Sequence, residues 1–432
     1  MWWNGKPSVS VFPCRSVLPA VRTTLFLLLA SAGLAGCTVP AGWRSTAYYG
    51  QTAESAPLPP SSASGAPAGA QLAAAPGRAT VPAGFRAVPE AVGIHRPAGL
   101  AVDGMGGIYV IEDGDKLVRL GAAGGRDLID QGAADSQWTG LAASGGLFYV
   151  TGTSRTLGGY LLRLDLNGRG AILMEGLPSG DHPVDAPAVG PDGMVYIGVG
   201  SVTETGIAGP DAPWRKASPS AHDVPCQDVR LTGRNLTHDS TVTGAFVPYG
   251  TSTRAGQMIE GRVPCSAAVL RTGEDDGRAQ LVAWGFGDPR SMAFTPEGRL
   301  YLLDGDKLFA VAAGIWYGWP DVAGARPLLA RHPNPPPRPL AVFAKPGSAR
   351  ALDLARAPLF GGATQAYVAV DLPKYGFRIV RVDLRDGTIT DFAEFPGGTP
   401  PVALRFSHSG NALYVLEEGG TLWRIERDIP IG

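Results

Sequence analysis

The sequence predicts an all-β protein, and within that class a six-bladed β-propeller, on three observations. Glycine (60) and proline (38) are abundant while charged residues make up only 17% of the chain. That composition suits many short strands joined by tight turns, because glycine supplies positive φ and proline is excluded from central strands and helices. A unit of short apolar strand, glycine-containing turn and aromatic-rich strand recurs along the chain, and its copies fall at blade-sized intervals. The 432 residues, 44% of them hydrophobic, are enough to bury a sizeable core.

The units can be taken in order. Gly99-Leu100-Ala101-Val102 leads through a turn into Ile108-Tyr109-Val110, and Gly140-Leu141-Ala142-Ala143 leads into Leu147-Phe148-Tyr149-Val150. The third copy is the sharpest, Ala188-Val189-Gly190-Pro191-Asp192-Gly193-Met194-Val195-Tyr196-Ile197. A fourth runs from Met292 through Pro296-Glu297-Gly298 to Tyr301, a blurred fifth lies between Leu352 and Val370, and the sixth runs from Leu404 to Val415. Most copies start 41 to 60 residues apart, and a 104-residue gap between the third and fourth marks an insertion. Between the units lie segments that alternate with period two, such as Leu161-Leu162-Arg163-Leu164-Asp165 and Thr421-Leu422-Trp423-Arg424-Ile425, which supply outer strands. Radial repetition buries both faces of each sheet and protects its edges. The competing arrangement for the same strands is a pair of β-sandwiches.

Ahead of the repeats, residues 1–36 read as a signal peptide: a basic stretch, the apolar run Leu25 to Ala30, then small residues up to Cys37. Leu34-Ala35-Gly36-Cys37 resembles the bacterial lipobox, in which the Cys37 thiol carries the lipid; an ordinary secretory signal with an incidental cysteine is the alternative. Thr38 occupies the position where an aspartate would retain a lipoprotein in the inner membrane. The expected location is therefore the cell envelope, at the periplasmic face of the outer membrane, with the membrane itself as a partner through the anchor. Pro7, Pro13 and Pro19 in a long leader leave room for a start further downstream. Residues 37–84 are Ala, Pro, Ser and Gly with few aromatics, a composition that cannot offset chain entropy by burial and reads as a disordered tether. The propeller is expected over 85–432. The leader carries Lys6, Arg15 and Arg22 and no acid, so 37 basic residues less these three leaves 34 against 38 acidic, a net of −4. That balance argues against nucleic acid as a partner.

The insertion, about residues 204–265, holds Val224-Pro225-Cys226 and closes on Val263-Pro264-Cys265. With Cys14 removed and Cys37 acylated, Cys226 and Cys265 have each other as partners in an oxidising periplasm, and a disulfide is expected. No His-Cys cluster has metal-ligand spacing.

Taken together, these residues resemble the soluble quinoprotein glucose dehydrogenase and sorbosone dehydrogenase propellers over about residues 86–427. The resemblance rests on His182 eight residues before Gly190-Pro191-Asp192-Gly193, on Gly285-Phe286-Gly287-Asp288-Pro289 and on Gly314-Ile315-Trp316-Tyr317-Gly318-Trp319-Pro320-Asp321. It also rests on Gly376-Phe377-Arg378-Ile379-Val380-Arg381-Val382 and on the cysteine tract ending at Arg271. It implies a sugar dehydrogenase with pyrroloquinoline quinone (PQQ) and calcium, an envelope electron acceptor, and His182 as the general base that takes the sugar hydroxyl proton while hydride passes to the quinone. An imidazole suits that role because its pKa lies near working pH; the alternative is a surface-loop histidine.

The resemblance implies that Asp288 falls at a position that would contact the cofactor and that either Lys374 or Arg378 stands for the lysine that contacts the quinone, and Trp316, Tyr317 and Trp319 could stack on a ligand or pack between blades. The chain departs from the family's pattern in several places. The Arg-Asn pair before the proline reads Gly287-Asp288, two arginines before the last repeat are replaced by Pro400 and Val402, and the acidic stretch after the fourth repeat is cut to Asp304-Gly305-Asp306-Lys307. An anionic tricarboxylate needs paired cations, and the calcium ligands are not identifiable. Two readings follow: an envelope PQQ-dependent sugar dehydrogenase, or a non-catalytic propeller that binds carbohydrate or protein. A metal-dependent lactonase-like propeller would need inward carboxylates or asparagines that the sequence does not reveal.

Overall fold

The computed structural model describes residues 79–428 apart from 122–123, 157, 276, 322–325 and 344–347. The leader, Cys37 and nearly all of the proposed tether lie outside the described residues. Six four-stranded antiparallel sheets form the blades of a propeller, as the repeats predict. Blade 1 is Gly99–Val102, Ile108–Glu112, Lys116–Leu120 and Arg126–Gln131, and blade 2 is Gln137–Ser144, Leu147–Ser154, Gly158–Asp165 and Gly170–Leu177. In blade 3, Val184–Val189 and Val195–Val199 are followed, after the insertion, by Ala268–Thr272 and Gln280–Trp284. Blade 4 is Pro289–Phe294, Leu300–Asp304, Lys307–Val311 and Ala341–Val342; blade 5 is Ala349–Leu354, Gln365–Leu372, Gly376–Asp383 and Ile389–Pro396.

Blade 6 takes its strands from both ends of the domain. Pro401–Phe406, Ala412–Glu417 and Leu422–Arg427 are completed by Phe85–Ala91, which pairs antiparallel with the last strand from Phe85 opposite Arg427 onward. Closing the ring in this way leaves no open edge between the first and last blades. Packing extends slightly ahead of that strand: Thr80 N donates to Glu394 O at 2.9 Å, and Ala79 and Val81 pack on the core of blade 5.

The aromatic in each repeat explains why the unit recurs. Tyr109, Tyr149, Tyr196, Tyr301, Tyr367 and Tyr414 hold the same place in the second strand of successive blades, and all six are buried. In blades 1 to 4 each lies opposite an alanine of the inner strand, which makes room for the ring. In blades 1 and 3 the hydroxyl donates to the aspartate of the Gly turn, Tyr109 to Asp103 at 2.9 Å and Tyr196 to Asp192 at 2.8 Å. The blurred fifth copy places Asp353 opposite Tyr367 instead of alanine. That buried carboxylate accepts from Phe406 N at 2.7 Å and so ties blade 5 to blade 6.

The insertion leaves blade 3 directly after the pair Val199 and Ala268. It contains two short antiparallel pairs, Val229–Arg230 with Met258–Ile259 and Asn235–His238 with Thr241–Gly244. Cys226 and Cys265 form the expected disulfide, with S–S 2.04 Å.

Candidate functional site

In an antiparallel four-stranded blade, the turn between its second and third strands and the link from its fourth strand to the next blade emerge at the same end. That end carries the insertion of blade 3, the link 178–183 that delivers His182, the link 285–288 that delivers Asp288, and the turns at Asp304–Lys307 and at Lys374. Blades 3 and 4 are neighbours, so His182 and Asp288 enter the mouth of the propeller side by side.

Backbone bonds hold the two links together through the first residues of the insertion. His182 N donates to Ser201 O at 3.1 Å, Ser201 N donates to Gly287 O at 2.9 Å, and Gly285 N donates to Ala267 O at 2.7 Å. The approach is close enough to require glycine at position 200, where a Cβ would lie 2.5 Å from the Cβ of His182.

The His182 side chain, 19% exposed, sits between two carboxylates. Nε2 lies 2.9 Å from Glu204 Oε2 and Nδ1 lies 3.4 Å from Asp288 Oδ1. Ionised carboxylates only accept hydrogen bonds, so a ring facing one from each nitrogen donates from both. Burial opposes the charge, but the hydrogen bonds and charges of Asp288 and Glu204 outweigh it and push His182 up to about 10. The resemblance leads one to expect a proton acceptor; the carboxylates on both ring nitrogens favour the protonated ring. Asp288 makes the larger contribution and Glu204, which comes from the insertion, the second.

Asp288 is the centre of a second network. Burial disfavours its charge, yet the His182 hydrogen bond and the Arg290 charge hold its carboxyl below the usual range. Its Oδ2 accepts from Arg290 Nε at 2.5 Å, and its backbone N donates to Asp304 Oδ1 at 2.6 Å. Asp304, enclosed beneath it, is pushed up to about 6 by burial. On the other side, Asp181 accepts from Glu204 N at 3.0 Å and from Trp214 Nε1 at 2.8 Å, which seats the start of the insertion over the histidine.

The remaining expected residues divide. Trp319 is half-buried at the site, with its ring against Gly287 and Nε1 donating to Glu204 O at 3.3 Å. Trp316 and Tyr317 are core residues: Trp316 donates to Trp319 O at 2.9 Å, and Tyr317 stacks on Phe286 at 4.4 Å between ring centroids. Lys374 is exposed on the turn of blade 5 at the mouth end, with φ of 75°. Arg378 lies in the third strand of that blade and pairs with Asp391 of the fourth at 3.2 Å, on the side away from the inner strand. Asp288 contacts His182 and Arg290. Sequence reasoning missed Glu204, Asp181 and Arg290, and it read Asp304 only as a remnant of an acidic stretch. None belongs to a motif, and the only signal was that the insertion starts close to the histidine's blade. The proline tract after His332 is bound to the protein, since Asn334 exchanges hydrogen bonds of 3.0 Å with the backbone of Trp316. Among the described residues, no group of three or more His, Cys, Asp or Glu is arranged to hold a metal ion.

No family model matches this chain, and no curated protein does. Solved structures do resemble it in fold. The PQQ-bound aldose sugar dehydrogenase of Streptomyces coelicolor superposes with a TM-score of 0.53 at 17% identity, covering 81% of this chain and 100% of that one. A putative oxidoreductase (glucose dehydrogenase) of Thermus thermophilus gives 0.51 at 18% identity, covering 79% and 100%. The holo PQQ domain of pyranose dehydrogenase from Coprinopsis cinerea gives 0.52 at 13% identity, covering 81% and 97%. At these identities the likeness is one of fold.

Proposed function

We propose that this propeller is a carbohydrate-binding module whose mouth engages a sugar through the Glu204 carboxylate, held by His182, and the indole of Trp319, and that it is held on the cell envelope through a lipid on Cys37. The observation that carries the reading is the enclosure of His182 between Glu204 and Asp288. The exposed carboxylate of Glu204 offers acceptors to sugar hydroxyls, His182 holds that carboxylate in place with an N–H it already donates to it, and the half-buried Trp319 indole supplies apolar area against a sugar face.

The residues at the mouth do not fit PQQ. A tricarboxylate needs several cations to pair with it, whereas Arg290 is paired with Asp288, Arg350 with Asp371 at 3.4 Å and Lys307 with Asp306 at 3.7 Å, and Lys374, exposed at the mouth end of blade 5, is a single lysine. Pro400 and Val402 supply no charge at all. Calcium is in the same position, since the short Asp304-Gly305-Asp306 turn spends Asp304 on the backbone of Asp288.

A second reading, a PQQ-dependent sugar dehydrogenase with His182 as base, is supported by the fold likeness to sugar dehydrogenases and by the place of His182 at the mouth. It requires Glu204, whose side chain is 75% exposed, to leave Nε2 and the paired arginines to change partners. One experiment separates the two. Calorimetric titration of the full chain with a panel of aldoses and polyols, with and without PQQ and calcium, should show sugar binding that falls at least tenfold in His182→Ala and does not respond to cofactor. Tight PQQ binding with His182-dependent dye reduction would establish the dehydrogenase, and binding of neither sugar nor cofactor would remove both readings.

A further inference from the structure

We infer that Asp223, deep in the insertion, is a positioning residue that holds the Glu204 carboxylate against His182. The chain of contacts is continuous. Asp223 is 1% exposed, and its carboxylate accepts from Val202 N at 2.7 Å, Thr203 N at 3.0 Å and Thr203 Oγ1 at 2.5 Å. The next residue along is Glu204, whose Oε2 meets His182 Nε2. The carboxylate that makes these bonds is itself fixed by the disulfide clasp: Val224 N donates to Ser266 Oγ at 2.8 Å, Ser266 N donates back to Val224 O at 3.0 Å, and Cys226 and Cys265 lie just beyond each partner.

The arrangement is costly unless it serves the loop. Burial raises the carboxyl of Asp223 to about 6, and the hydrogen bonds from Thr203 and Val202 oppose that rise only in part. A buried acid that accepts three hydrogen bonds from two consecutive residues constrains that segment more tightly than an apolar contact would, because any displacement leaves both the acid and the amides unpaired. The segment it constrains is the one that carries Glu204. The groups facing His182 are Glu204 from the insertion and Asp288 from blade 4, with Arg290 and Asp304 behind Asp288 and Asp181 behind Glu204. Of these, only Glu204 is exposed and depends on a loop for its position.

The functional consequence rests on the mouth being the ligand site, but the test reads His182 directly. The ring Cε1 proton resonance of His182 is followed against pH in the full chain, in Asp223→Asn, in Glu204→Gln and in the double variant. Removing an opposite charge at this range should lower the His182 midpoint by about one pH unit or more in Glu204→Gln. Asp223→Asn should lower it in the same direction, and the double variant should fall no further than Glu204→Gln alone. A midpoint unchanged in Asp223→Asn, or shifts that add in the double variant, would overturn the inference. If Asp223→Asn does not fold, Thr203→Val, which removes one of the three bonds, should give a smaller drop of the same sign, and no drop would overturn it equally. Sugar binding can fail in calorimetry while this relay holds, and the relay can fail while sugar binds.

Discussion

Asp288 divides its carboxylate between two cations of different kind, with one oxygen 3.4 Å from Nδ1 of His182 and the other 2.5 Å from Nε of Arg290. Because both partners are charged, the aspartate remains ionised despite its burial. The histidine stays protonated for the same reason, and Arg290 is unavailable to an anionic ligand. The electrostatic character of the mouth follows from this one residue and from Glu204.

The first expectation concerns pH. His182 titrates at about 10 in the folded chain against 6.5 for an ordinary histidine. A raised folded value means that its stabilising contribution is complete below about 6.5 and is lost as the pH rises through about 10. Asp288 has the opposite sign: its lowered value contributes above the ordinary carboxylate range and is lost on acidification. Denaturation by urea at pH 7, 9 and 11 should show stability falling at the alkaline end in the natural chain, with a flatter profile in His182→Ala. An NMR midpoint near 6.5 for His182 would refute the enclosure.

Asp304 should behave as a buried acid that costs stability when it is charged. Its folded value of about 6 exceeds the ordinary 3.8, so the stability associated with its protonated form is present at low pH and lost as the pH rises through about 6. Asn in its place keeps an acceptor for Asp288 N. Asp304→Asn is therefore expected to be near neutral at pH 4.5 and stabilising by roughly 1 to 3 kcal/mol at pH 8, measured by denaturant unfolding at both pH values. An equal effect at both would show that the carboxyl is not perturbed.

Ring closure should be visible in a single side chain. Phe85, on the strand that completes blade 6, packs its ring 5.2 Å from Phe360 and 5.3 Å from Phe392 of blade 5. Phe85→Ala removes an aromatic from a junction between the last two blades and should cost about 2 to 3 kcal/mol. The midpoint of chemical unfolding reads this, and a change below half a kcal/mol would mean that the strand is held by its backbone ladder alone.

Loss of the disulfide should act on the insertion. Cys226 and Cys265 are 39 residues apart in the chain, and closing a loop of that length stabilises by about 4 kcal/mol in the chain-entropy model. The Cys226→Ser, Cys265→Ser pair should unfold at lower denaturant and be cut by protease first between residues 204 and 265. Equal protease resistance in the two forms would show that the two small strand pairs hold the insertion without the clasp.

What could be read from the sequence is what repeats locally. The Gly turn, the tyrosine two residues into the second strand and the period-two outer strands recur in each blade because each blade solves the same packing problem with neighbouring residues. The number of blades follows from those copies. Even the disulfide was visible, because its two cysteines sit in matching Val-Pro-Cys contexts. His182 was legible as a candidate from its spacing ahead of the third repeat, but its chemical state was not. Asp288 was a candidate from its place before Pro289, but nothing in the local sequence of Glu204 or Arg290 announces that they share its site. Their meeting is decided by the neighbouring of blades 3 and 4 and by a buried aspartate and disulfide that fold the insertion back over the mouth. Charge depends on what lies within a few ångströms in space, and the sequence orders residues along the chain. The tertiary structure alone therefore decided that the histidine of this propeller lies between two carboxylates and that one of these also pairs with Arg290.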